Sequence, residues 1–106
     1  MTTQQTVFEV TGVSLAILKS MPPQLSISVT GNCNTSGWNN FVIAPRVYIM
    51  PPTDGIWDAD LMGDKPDGMV LEVITAMHTD AVWPDIPAGL KGVRINAASN
   101  SMVAMQ

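Results

Sequence analysis

The chain has 106 residues, a formal net charge of −4, 46% apolar residues and 13% charged ones. That mixture argues against a disordered polypeptide, and the acidic balance excludes the basic footprint of a nucleic-acid binder. The five bases, Lys19, Arg46, Lys65, Lys91 and Arg94, form no run, and the one cysteine, Cys33, permits no internal disulfide.

In chain order the dominant period is two, the signature of half-buried strands. Phe8 and Val10 alternate with Glu9 and Thr11, predicting a strand over 6–12. Val13 to Leu18 is apolar but too short to span a bilayer. The stretch 14–20 reads equally as strand or as one helical turn. After Met21-Pro22-Pro23, residues Leu25, Ile27 and Val29 alternate with Ser26, Ser28 and Thr30, the cleanest amphipathic strand of the chain, over 24–31. Strong strand formers extend over 41–50, where Pro45, lacking an N–H, predicts a bulge or an edge. Pro51-Pro52-Thr53-Asp54-Gly55 is a turn, since proline presets one torsion and glycine accepts positive φ. A strand follows over 56–62, then a second turn over 63–68. The run 69–78 is apolar on both faces and reads as a central strand. Two prolines and a glycine make Thr79 to Gly89 a long loop, and long loops in compact domains often carry function. Strands over 90–98 and 101–105 complete the chain. About seven strands with turns every 8–12 residues predict one all-β domain over 1–106, a single antiparallel β-sandwich of Ig-like type.

Three groups of residues bear on chemistry. Asp54, Asp58, Asp60, Asp64 and Asp67 fall within one short stretch, and oxygen-rich loops hold hard cations such as calcium. Asp58 to Asp64 begins like a calcium loop. Met62 then occupies the position of a third oxygen ligand, and Met69 that of the closing glutamate. Because Asp58 and Asp60 alternate with Trp57, Ala59 and Leu61, both carboxylates belong on the solvent face of a strand. No metal is expected, Asp54, Asp58, Asp60 and Asp64 being the candidates if one binds, and no cofactor is expected.

His78 is the only histidine, with Asp80 two residues on. A Ser–His–Asp or Cys–His centre needs a nucleophile, a base and an orienting acid to converge. The surroundings of Cys33 do not resemble a nucleophile elbow, so the reading is a non-enzyme.

The tryptophans are the third group. Trp38 ends the polar loop 31–37 and is followed by Asn39 and Asn40, Trp83 lies in the proline-rich loop, and Trp57 follows the Pro-Pro turn. Aromatic rings at loop ends anchor proteins or stack on sugars with little entropy cost, and they also plug the open ends of a sandwich. Trp57 is read as a plug, whereas Trp38, Asn39 and Trp83 are the candidate interaction residues. Asn34-Thr35-Ser36 matches a glycosylation sequon. Arg94, on the polar side of its strand, is expected to pair with Glu72 or Glu9.

The phrases Gly37-Trp38-Asn39-Asn40, then Pro45 to Asp60, then Leu90-Lys91-Gly92-Val93-Arg94 resemble small bacterial β-rich proteins of no assigned function. Asn34-Thr35-Ser36-Gly37-Trp38 together with Gly89-Leu90-Lys91-Gly92 also resembles chagasin-like cysteine-protease inhibitors, Ig-like sandwiches that wedge three loops into a protease cleft. The proline and second threonine of the first inhibitor loop, and the wedge of the third, are missing here, so no site residues follow from that resemblance. The expectation is a binding or structural module with a protein or small-molecule partner. Calcium- or carbohydrate-binding sandwiches and protease inhibition are the alternatives. Neither nucleic acid nor membrane is expected as a partner. A cytoplasmic monomer or weak dimer completes the reading.

Overall fold

The computed structural model describes residues 3–106, which form eight strands and no helix. These are β1 (Thr3–Thr6), β2 (Glu9–Leu18), β3 (Gln24–Cys33), β4 (Asn39–Pro45), β5 (Ile56–Lys65), β6 (Thr75–Trp83), β7 (Gly92–Asn96) and β8 (Ser101–Met105). They make two sheets. In the three-stranded sheet β3 lies between β2 and β6, both antiparallel to it. In the five-stranded sheet β5 is central: β4 runs along one side, and the other side carries β7 beside its first half and β1 beside its second. β8 pairs with β7 and ends the sheet.

Alternation explains the core. Leu25, Ile27, Val29 and Cys33 of β3 are buried, as are Ala59 and Leu61 of β5 and Val93 and Ile95 of β7. Their intervening neighbours face outward. The inner faces of the two sheets meet through these residues, with Val7 and Val10 closing one side. At that side the Asn100 side chain takes over the work of a strand: its Oδ1 accepts from the Val10 N–H, and its Nδ2 donates to the Val10 carbonyl.

Several expectations need correction. The described residues form eight strands rather than about seven, and the five-stranded sheet is not wholly antiparallel, because β5 and β7 run parallel. The ambiguous stretch 14–20 is strand as far as Leu18. β4 stops at Pro45, which cannot donate to a further ladder bond, and its bulge lies earlier, between Asn39 and Val42. The largest difference concerns 69–78. Residues 69–74 are irregular and, apart from half-buried Val70, exposed, Met69 wholly so. They are held by the loop before β4, through Ser36 N–H to the Leu71 carbonyl and Leu71 N–H to Ser36 Oγ. The strand instead begins at Thr75 and runs to Trp83, inside what reads as a loop. The reason is visible in its period: Met77, Thr79, Ala81 and Trp83 turn inward, whereas His78, Asp80 and Val82 are exposed. The prolines at 84 and 87 follow the strand rather than interrupt it. As an edge strand paired only with β3, β6 is also not central.

Candidate functional site

β5 spans the molecule, so its two ends give a frame. At its Ile56 end lie the connections 19–23, 46–55 and 84–91, because Trp83 of β6 pairs with Leu25, Pro45 with Ala59, and Lys91 N–H bonds the Gly55 carbonyl. At its Lys65 end lie the connections 34–38 and 66–74, where Gly37 approaches Pro66 and Val70.

At the Ile56 end the two sheets part and leave a groove of about 320 Å³. Trp57 comes to it from β5 and Trp83 from the end of β6, with Pro45, Pro84 and Pro87 completing an almost entirely apolar lining. Arg46, Asp58 and Asp85 are the charged residues at its border. Each apolar wall has a local cause. Trp57 sits on the inward side of β5, in line with Ala59 and Leu61, and Trp83 is the last inward residue of β6. The prolines stand where β4 and β6 stop, and their rings add rigid surface with no N–H to satisfy. The Trp57 ring packs edge-on against Tyr48, with centroids 4.9 Å apart, and its Nε1–H is buried without a hydrogen-bond partner.

On the outer side of the same strand Asp58 organises a polar network. Tyr48 Oη donates to Asp58 Oδ2 at 3.1 Å and accepts from the Asp58 N–H at 2.9 Å. Asn96 Nδ2 donates to Asp58 Oδ1 at 3.1 Å, and Arg94 makes an ion pair at 3.3 Å. Only 17% of the Asp58 side chain remains exposed. Burial pushes its carboxyl upward, but the hydrogen bonds from Asn96 and Tyr48 and the charge of Arg94 outweigh that and hold it below the usual carboxylate range. Asp60 pairs with Arg46 at 2.9 Å, and that guanidinium is held above its ordinary value by the bond. Asp58 and Asp60 thus share the outward face read from the sequence, but Asp58 lies beneath Tyr48. Arg94 pairs with Asp58 rather than with Glu72 or Glu9, because β7 is set parallel to β5 with Asp58 directly opposite Arg94.

The other candidates are scattered. Asp54 accepts from the Ile56 N–H and shapes its turn, and Asp64 accepts from Asn40 Nδ2 near the far end of β5. Among the described residues no three His, Cys, Asp or Glu side chains are grouped so as to hold a metal. Trp38 stands at the Lys65 end, beside Gly63, with its Nε1–H donating to Thr35 Oγ1 at 2.8 Å. Gly63 lies six residue steps along β5 from Trp57, about 20 Å of strand. Trp38 and Trp83 therefore do not face one partner surface. Asn39 is exposed beside Trp38 at the start of β4. For the same reason 34–38 and 89–92 occupy opposite ends and form no common wedge.

His78 lies on the exposed face of the three-stranded sheet, its Nε2 3.2 Å from Asp80 Oδ1. Ser28 Oγ donates to that same oxygen at 2.6 Å. The carboxylate stands between serine and histidine, so the imidazole is not placed to take the serine proton, as a nucleophilic triad requires. Cys33 is buried, and burial pushes its thiol up to about 11, which keeps it protonated and unreactive at neutral pH. No helix among the described residues is long and apolar enough to cross a membrane.

Sequence reasoning marked Trp83 but treated Trp57 as a plug and passed over Pro45, Arg46, Pro84, Asp85 and Pro87. The usable signal was the clustering of proline and tryptophan just beyond strand ends. Comparison with known proteins finds no match: no family model, no curated protein and no solved structure is similar to this chain.

Proposed function

We propose that this chain is a β-sandwich binding module, Ig-like in general plan, that seats a small ligand in the groove between Trp57 and Trp83. The observation that carries this reading is the convergence of two tryptophans and three prolines, from strands far apart in sequence, on one open cleft. Ligand sites are concave, mostly apolar and furnished with a few polar groups, and this cleft is at the small end of their usual size. The ligand class that fits best is a carbohydrate. Flat indole faces receive the C–H-rich face of a sugar ring, and the charged border can hydrogen-bond its hydroxyls. Asp85 is suited to that role, since it makes no side-chain hydrogen bond or ion pair among the described residues. Binding rather than catalysis is favoured by the order of Ser28, Asp80 and His78 and by the inert state of Cys33.

The test is a panel of mono- and oligosaccharides titrated against tryptophan fluorescence and amide chemical shifts. Shifts confined to residues 45–46, 57–58 and 83–87, lost in Trp83→Ala, are the expected result. Saturating shifts around Trp38 with none in the groove would overturn the reading.

A further inference from the structure

Every edge strand but one carries a device against pairing with another chain. β1 has four residues among those described, Thr3–Thr6. β2 is interrupted by its bulge after Val10, where the Asn100 side chain occupies the free N–H and C=O, and it runs out at Lys19. β4 has a bulge, ends on Pro45 and has its Phe41 carbonyl taken by Thr79 Oγ1 of β6. β6 is followed at once by Pro84. Short length, bulges, prolines and charges are the means by which natural sheets blunt their edges. β8, five residues long, has no bulge, proline or charged side chain. From Asn100 to Gln106 there is no charged side chain, no proline and no glycine.

The free hydrogen-bonding groups of β8 follow from its register. Gln106 N–H bonds the Lys91 carbonyl, and Ala97 N–H the Asn100 carbonyl. Pairing partners here sum to the same number as Gly92 with Met105, so 93 with 104 and 95 with 102 are the hydrogen-bonded pairs between them. The backbone groups of Ser101, Val103 and Met105 therefore point away from β7. β2 packs beside β8, but among the described residues no backbone hydrogen bond joins the two strands.

We propose that β8 is a self-association edge, pairing antiparallel with β8 of a second copy about a two-fold axis at Val103. In that register Ser101 faces Met105 of the other copy, and Val103 faces its own equivalent. All the outward N–H and C=O groups of both strands are then satisfied, and the two five-stranded sheets become one. A second copy is the occupant because two-fold pairing sets like residues near like residues, which only an uncharged strand tolerates. The nearest charge on that face, Arg94 opposite Val103 on β7, is already paired with Asp58. Three strand spacings, about 14 Å, separate it from its equivalent, beyond the reach of unscreened repulsion at physiological salt. Val103 is 44% exposed and Met105 62%, on the outer face where the joined sheet covers them.

The experiment is sedimentation equilibrium of the full chain from micromolar to millimolar concentration, with residue-resolved amide exchange across the same range. The expected result is a mass rising from 11.3 kDa toward twice that value. Exchange should slow with concentration at Ser101, Val103 and Met105 and stay constant at Met102 and Ala104. Val103→Lys, which puts two ammonium groups at the axis, should weaken association by about tenfold or more. Its melting temperature when dilute should match the parent, as expected for an exposed site. Val47→Lys, at a still more exposed apolar position outside β8, should associate like the parent. A strict monomer at millimolar concentration would overturn the proposal. So would a dimer whose exchange is unchanged at 101, 103 and 105, or one abolished by Val47→Lys and not by Val103→Lys.

Discussion

The two ends of the molecule each hold tryptophan, but they treat it differently. At the Lys65 end the Trp38 ring lies over Gly63, where the missing side chain makes room for it and for Phe41, and its N–H is satisfied within its own loop by Thr35. At the Ile56 end Trp57 and Trp83 face a gap bordered by prolines, and the Trp57 N–H has no partner. A ring that is seated on a glycine and hydrogen-bonded locally closes a sandwich. Rings that arrive on two sheets, with rigid turns holding those sheets apart, leave a cleft.

The largest effect that tests this contrast is Trp38→Ala. Loss of a large ring packed against the core should cost about 3 kcal/mol, read by urea unfolding, while ligand affinity in the groove stays as in the parent. If stability is unchanged, the ring is not the closure of that end. Next is Gly63→Ala. A Cβ there would lie 2.8 Å from Phe41 Cδ1 and 3.2 Å from Trp38 Cε3, so both rings must shift, at an expected cost of about 1–2 kcal/mol. The same substitution in a Trp38→Ala background should cost less, because the space has been vacated; additivity would separate the two residues.

Asp58, beside the open end, gives a pH-dependent test. Its carboxyl is held below the usual range, so its stabilising contribution is present above the unfolded value near about pH 4 and is lost as pH falls through the lower folded value. Acid unfolding of Asp58→Asn should therefore lack part of the parent's loss of stability below about pH 4. Parallel curves would show that the Tyr48–Asn96–Arg94 network contributes nothing through this group. The smallest effect belongs to Trp57→Phe. Removal of an unpaired buried N–H at the cost of some ring area should leave stability within about 0.5 kcal/mol of the parent. Ligand affinity should nonetheless fall if that face is the seat, as calorimetric titration would show.

Much of this comparison was legible in the sequence, though unevenly. Period two placed β3 and β5 closely and put Asp58 and Asp60 on one face, because side-chain direction is a local property of an extended backbone. The same rule holds for Met77, Thr79, Ala81 and Trp83 of β6 but was not read there, because the more apolar run at 69–74 and the prolines after Trp83 drew the strand boundary the wrong way. Continuous hydrophobicity does not say which residues have a neighbouring strand to bond. Residues 69–74 have none, and they are held by Ser36 instead.

By itself the sequence determined that the chain is all-β, where most of its strands and turns fall, and which side chains point the same way from each strand. Those are consequences of backbone stereochemistry and local alternation. Only the tertiary structure decided that β7 lies parallel to β5, that Arg94 meets Asp58, and that Trp57 shares a groove with Trp83 while Trp38 closes the opposite end. The cost of closing a loop changes slowly with its length, so chain spacing barely distinguishes one strand partner from another. Partners are chosen by how whole faces fit together, and no short stretch of sequence contains that choice.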